Sequence, residues 1–352
     1  MKRMTILFVL LAMMLVGGAS AQPHSLTIGL IAYQADALVW PISQYQAALE
    51  ADLDLLPVPE QFPEERLLNP ITEGIPPIDL IAKEAGTVGQ QIAAISDLVA
   101  VGIDGLVIMP AGQDETLVHA LQEAMNAGIP VVTVHRDMPS LVSPLKAYVG
   151  LEHHQLGFAI GRGALGVTPQ GQQKYPLHEE DRFVVLAKNL DDPVEQRLSQ
   201  GFVSAIGKHG TGVFQVAPSG SYAHTQKMMA QIPGLTSIFL TNVELVPGTL
   251  QAVREVATPG EHIRVVSYGA PPDFKALITD DVFNGCVSQD YYGIFLASLV
   301  QLKKFLVQGA ALQNEYIPVE LRMRFHLPYG TFTRYPYESP FGFDLLFMWW
   351  FG

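Results

Sequence analysis

GIDGLVIMPAGQDETLVHALQEAMNAGIPVVTVHRD, residues Gly102 to Asp137, holds one complete strand–helix–strand unit. Gly105 to Met109 is a short, wholly apolar run. Leu117 to Ala127 is helical in pattern and is ended by Gly128, and Pro130 to Val134 is a second apolar, β-branched run. Strands that are apolar on both faces belong to parallel sheets covered by helices on each side. The stretch therefore predicts an open α/β sheet.

Outward from this unit the same alternation continues. On its N-terminal side lie a strand at Leu26 to Ala32 and helices at Trp40 to Ala51 and Gln90 to Val101. Beyond it, strands are predicted at Ala147 to Gly150, Phe183 to Leu186, Gly212 to Val216, Ser237 to Leu240, Arg264 to Ser267 and Gly285 to Val287. Helices are predicted at Gln155 to Leu165, Val194 to His209, Tyr222 to Gln231, Gly248 to Val256, Pro272 to Ile278 and Tyr292 to Gln308. These are too many strands for one sheet, so the chain divides into two doubly wound α/β lobes. Two stretches break the rhythm. Pro57 to Gly86, rich in Pro and Glu, reads as a loop insertion. The aromatic, Pro-rich stretch from Phe325 to Gly352 reads as an extension packed on the body.

The N-terminus predicts export. Lys2 and Arg3 precede an uncharged apolar run, Met4 to Val16, and Ala19-Ser20-Ala21 supplies the small residues of a cleavage site before Gln22. The expected compartment is the periplasm, with 1–21 removed. Acidic residues outnumber basic ones by 34 to 21. That balance argues against a nucleic-acid partner and against polybasic docking on a membrane. Cys286 is the single cysteine, so no internal disulfide is available, and its apolar neighbours mark it as a buried small hydrophobe.

The order of these pieces resembles the type I periplasmic binding proteins, above all the ribose- and galactose-binding branch. Gly102 to Asp137 is similar to the most recognisable segment of that family. AYVGLEHHQLGFAIGRGAL (Ala147 to Leu165) resembles the crossing into the second lobe, and EQRLSQGFVSAI (Glu195 to Ile206) resembles its Arg-then-Gly-Phe helix. IFLTNVELVPGTLQAV (Ile238 to Val253) resembles the strand that ends in Asn-Asp. VSQDYYGIFLASLVQL (Val287 to Leu302) and YIPVEL (Tyr316 to Leu321) resemble the return and final crossings. The resemblance implies two parallel-sheet lobes joined by a three-strand hinge. The N-terminal lobe would take 25–149 and 289–315, and the C-terminal lobe 150–288 and 316–324. It implies a monomeric receptor that closes on a sugar or related polar solute and performs no chemistry on it. The implied partner is a membrane permease of the ABC type or, alternatively, a membrane sensor protein.

The resemblance also selects site residues. Trp40 stands where the family places ring-stacking aromatics, with Tyr33 nearby. His135 and Arg136 end a strand at the cleft, and a guanidinium there can fork onto ligand oxygens. Arg197 is a second cleft arginine. RLSQGF has one residue more than the usual Arg-x-x-Gly-Phe spacing, which leaves Glu195 and Gln196 as alternatives. Asn242 and Gln289 match amide contacts to hydroxyls. His135 stands where the sugar-binding branch carries Asp, Val243 follows Asn242 where it carries a second acid, and Tyr268-Gly269-Ala270 supplies no acid. With these acids absent or displaced and the arginines remaining, the resemblance implies a pocket less negative than a plain hexose site, one that prefers a ligand with a carboxylate, a phosphate or fewer hydroxyls, unless Glu152 or Glu244 restores the charge. His135, His153 and His154 do not have metal-ligand spacing. No nucleophile elbow, phosphate loop or zinc helix motif is present, and no metal or cofactor is expected.

Overall fold

The computed structural model describes residues 25–33, 78–167, 177–256, 263–269, 285–288 and 291–317, three single positions at 271, 277 and 283, and the backbone of 320–323, 335–338 and 344–348. The expected signal segment, the helix expected at Trp40 to Ala51 and the residues Trp40 and Gln289 lie outside the described residues.

The first sheet contains β1 (Leu26–Ala32), β2 (Ile78–Glu84), β3 (Gly105–Ile108), β4 (Val131–Val134), β5 (Lys146–Gly150) and β11 (Glu315–Tyr316), in the order β2-β1-β3-β4-β5-β11. All its pairings are parallel. The second sheet contains β6 (Arg182–Ala187), β7 (Gly210–Gln215), β8 (Leu235–Leu240), β9 (Arg264–Tyr268) and β10 (Gly285–Ser288), which run parallel in the order β7-β6-β8-β9-β10. The two lobes thus repeat one doubly wound topology. Each sheet reverses its winding once, between β1 and β3 and between β6 and β8, and the carboxyl ends of strands at such a reversal form a ligand crevice.

The second sheet is mixed at its far edge. β12 (Glu320–Met323) runs antiparallel to β10, β14 (Asp344–Met348) joins β12, and β13 (Tyr335–Glu338) pairs antiparallel with β14. Gly150 pairs with Tyr316 as the last paired residues of β5 and β11, and the chain passes between sheets after β5, after β10 and after β11.

One expectation is corrected. The loop insertion at Pro57 to Gly86 contains β2, which pairs with β1 along its full length, from Leu26–Ile78 to Ala32–Glu84. An edge strand buries little. In IDLIAKE only Ile78 is buried.

The helices follow their caps. α1 (Val88–Val101) starts in a capping box: the Gln90 N–H donates to Thr87 Oγ1 at 3.3 Å, and the Thr87 N–H donates to Gln90 Oε1 at 3.1 Å. It stops at Gly102, whose φ of 85° is the left-handed geometry a helix C-terminus requires. α2 (Glu115–Asn126) is capped by Asp114, and α3 (His153–Ala164) by Glu152. α4 (Pro193–Ile206) is capped by Asp192, with Pro193 in its first turn. α5 (Ser221–Gln231) and α6 (Val246–Val256) cover one face of the second sheet, where Met228, Leu245, Leu250 and Val253 bury against Val184, Leu186 and Ile238. α7 (Tyr291–Gln308) returns to the first lobe, where Ile294, Phe295 and Leu299 close over Leu30, Val107, Val132 and Val149.

α3 and α4 pack backbone to backbone. A Cβ at Gly201 would lie 1.9 Å from the His154 carbonyl oxygen, and one at Gly157 would lie 2.1 Å from that of Leu198. Cys286 is fully buried among the apolar residues of the second lobe. Among the described residues no helix is long and apolar enough to cross a membrane.

Candidate functional site

The carboxyl ends of the strands meet between the lobes. Tyr33 follows β1, Pro110 follows β3, and His135-Arg136 follow β4 in the first lobe. Lys188-Asn189 follow β6, Asn242 follows β8, and Tyr268 ends β9 in the second.

β4 ends in a tight three-residue turn. The Arg136 N–H donates to the Val134 carbonyl at 2.6 Å, and His135 at its centre has φ 62°. A positive φ is sterically unfavourable for a residue with a Cβ and concentrates at functional sites. After this turn the Arg136 side chain lies along the carboxyl ends of the strands. Nη1 donates to the Pro110 carbonyl at 2.6 Å, and the guanidinium carbon lies 5.5 Å from the centre of the Tyr33 ring. Nη2 crosses to the second lobe and pairs with Asp192. Pro110 is itself held from behind: the fully buried Gln91 of α1 donates to the Met109 carbonyl at 2.8 Å and accepts from the Ala111 N–H at 3.0 Å. The neighbouring Asp137 pairs with Lys146.

Four rings join the lobes beside this ion pair. His135 lies 6.1 Å from Tyr33, 5.9 Å from His153 and 6.5 Å from Tyr268, stacking on the last at 19°. His153 Nε2 and the Tyr268 hydroxyl are 3.1 Å apart. Burial first, then the electrostatic influence of His135, Arg197 and Arg136, holds the His153 pKa well below the ordinary histidine value, which favours the neutral imidazole. At two strand ends where the resemblance leads one to expect acids, His135 and Tyr268 thus stack on each other across the lobes.

A cavity of about 220 Å³ opens next to this cluster and is lined from both lobes and the crossing segments. Gln113, Arg136 and Asp137 face it from the first lobe, and Gln196 and Arg197 from α4. Glu152, Tyr148 and Tyr316 face it from the crossings. Tyr148 is anchored by a 2.9 Å donation to the Leu151 carbonyl, and burial, with Asp137 nearby, raises its pKa, so it stays a neutral donor.

The expected site residues divide by position. Arg136 and Arg197 line the cavity, and so does the alternative Gln196. His135 belongs to the ring cluster and is not among the lining residues. Asn242 is also not among them. Its Oδ1 accepts from the Glu244 N–H at 3.0 Å, capping the turn after β8, and its Nδ2 donates to Glu195 at 3.4 Å. Glu195 lies beneath the cleft rather than in it. It accepts from the Lys188 N–H at 2.7 Å and the Thr241 hydroxyl at 2.6 Å, and burial raises its pKa.

Both cleft arginines face carboxylates. Arg136, 8% exposed, meets Asp192, while Arg197, with 51% of its side chain exposed, stands 3.9 Å from Glu152. Asp192, Gln91 and His153 carry the local geometry without having been expected at the site. Among the described residues no group of three His, Cys, Asp or Glu side chains is arranged to hold a metal.

The fold has close parallels. The glucose-galactose binding protein of Geobacillus stearothermophilus superposes with a TM-score of 0.63 at 14% identity, over 87% of this chain and 99% of that one. A Mycobacterium smegmatis protein in complex with β-D-fucofuranose gives 0.62 at 20% identity, over 84% and 91%. The Caulobacter myo-inositol binding protein, bound to myo-inositol, gives 0.62 at 16% identity, over 86% and 95%. At these identities the likeness is one of fold. No curated protein matches the sequence. The Periplasmic binding protein domain profile matches residues 77–310, which include most of both sheets and the crossings after β5 and β10. The chain belongs to the periplasmic binding protein family, in its two-lobed type I form.

Proposed function

We propose that this chain is an exported solute-binding protein that captures a small polar ligand, a sugar or sugar derivative, by lobe closure and delivers it to an ABC permease. The observation that carries the reading is the polar cavity lined from both lobes at the carboxyl ends of their strands. A ligand touched by both lobes stabilises the closed arrangement, so closure is a shift in population and not a reaction. The crossings after β5, β10 and β11 act as the hinge, and the lobes take 25–149 with 289–315 and 150–288 with 316–324. Trp40 and Gln289 complete the ligand contacts begun by Arg136 and Arg197. The leader ends near Gln22, placing the mature chain in the periplasm. The sugars and inositol bound by the structural relatives support the ligand class.

The test is a thermal-shift screen of the purified mature chain with pentoses, hexoses, inositols and sugar acids, followed by calorimetry. A ligand that prefers the native state raises its melting temperature. The expected result is a saturable rise with one class of sugar or polyol, lost in Arg136→Ala. No rise with any member of the panel refutes the reading.

A further inference from the structure

We infer that Asp192 is a specificity-determining residue of the cleft: a built-in counter-ion that occupies Arg136 and excludes anionic ligands. The inference rests on the solute-binding reading and names which solutes it admits.

Arg136 is a buried cation of the cleft, and both terminal nitrogens of its guanidinium are engaged. Nη1 is on the Pro110 carbonyl and Nη2 on Asp192, while Nε is buried with no hydrogen-bond partner. A carboxylate or phosphate seeking the two-pronged grip that a guanidinium offers must evict Asp192. Asp192 cannot leave cheaply. Its other oxygen accepts the Val194 N–H at 2.8 Å and caps α4, so swinging away uncaps a helix whose first turn lines the cavity. If it stays, an anionic ligand meets an Arg136 already matched by Asp192, an Asp137 already matched by Lys146, and a Glu152 carboxylate on the cavity wall, with Arg197 facing Glu152 at 3.9 Å. A neutral hydroxyl or ring oxygen meets no such conflict. Rejection by an internal like charge is a common route to specificity.

The test compares wild type with Asp192→Asn by calorimetry against D-galactose, D-ribose and myo-inositol, and against D-galacturonate and D-glucuronate. Asn caps a helix as well as Asp does, so the variant keeps α4 and loses only the charge. If Asp192→Asn does not fold, Asp192→Ser replaces it under the same argument. Wild type is expected to hold the uronates at least about a hundredfold more weakly than the best neutral ligand, and the variant to narrow that gap about tenfold or more. Uronates binding wild type as tightly as neutral ligands overturn the inference, as does a gap unchanged in the variant. Uronate binding that appears only in the variant supports it even if neutral sugars bind neither form. Silence from every ligand with both proteins overturns the solute-binding reading itself.

Discussion

Gly201→Ala adds a single methyl group, and the structure says where it must go. Its Cβ would stand 1.9 Å from the His154 carbonyl oxygen and 2.8 Å from the Phe158 nitrogen, both backbone atoms of the facing helix. Ordinary carbon contacts are about 3.5 Å, so α3 and α4 must part by roughly 1.5 Å. That separation loosens Leu156, Ile160, Leu198 and Phe202, which fill the core between these helices and the second sheet. Overpacking costs about 1–3 kcal/mol, and a backbone obstacle places this case at the upper end. Alanine returns about 0.5–1 kcal/mol through helix propensity. The net loss is about 2 kcal/mol, or roughly 4–8 °C in melting temperature for a lobe of this size. Gly89→Ala is the control, because its Cβ meets nothing within 4 Å in an exposed turn of α1. Calorimetric melting of both variants decides the matter. A Gly201→Ala protein that melts with wild type, or a Gly89→Ala protein that loses as much, refutes the close-packing argument.

Gln91→Leu adds apolar bulk to a buried site yet leaves the Met109 carbonyl and the Ala111 N–H without their partner. Urea unfolding should show a loss of about 2 kcal/mol. Glu195→Ala strands the Lys188 N–H and the Thr241 hydroxyl, and should cost about 1–3 kcal/mol with no direct loss of a cavity-lining side chain. His153 makes stability depend on acid. Its folded-state pKa lies below the value of about 6.5 in the unfolded chain, so the unfolded chain binds more protons as pH falls. Its stabilising contribution is complete above about pH 6.5 and is lost on further acidification through that interval. Melting temperature measured from pH 8 to pH 5 should therefore fall less steeply in His153→Gln than in wild type.

Much of the fold was legible because buried parallel strands are written as short apolar runs. Gly105 to Met109 and Phe183 to Leu186 announce themselves without any partner in view. β2 does not, since an edge strand with one buried residue has almost no pattern to show. The Gly-Phe pair of EQRLSQGFVSAI carries part of the family resemblance, and in the structure its two residues serve packing. Gly201 permits the close approach to α3, and Phe202 stacks on Phe239 at 4.9 Å. Arg136 was legible as a strand-end cation. Its partner Asp192 was not, because 56 residues separate them and no local pattern links a helix cap in one lobe to a guanidinium in the other. The same holds for the stack of His135 on Tyr268. Residues whose work depends on a partner across the cleft leave no periodicity behind.

The return of α7 to the first lobe has a consequence for how the chain is made. Residues 182–288 supply all five parallel strands of the second sheet in one unbroken stretch, so that lobe's centre can assemble as soon as it emerges. The first lobe is begun earlier but finished later. Leu30, Val107, Val132 and Val149 stay bare on one face until Ile294, Phe295 and Leu299 arrive. A nascent or truncated chain that stops short of residue 291 therefore carries a half-clothed sheet, the kind of surface on which chaperones act and from which aggregation starts.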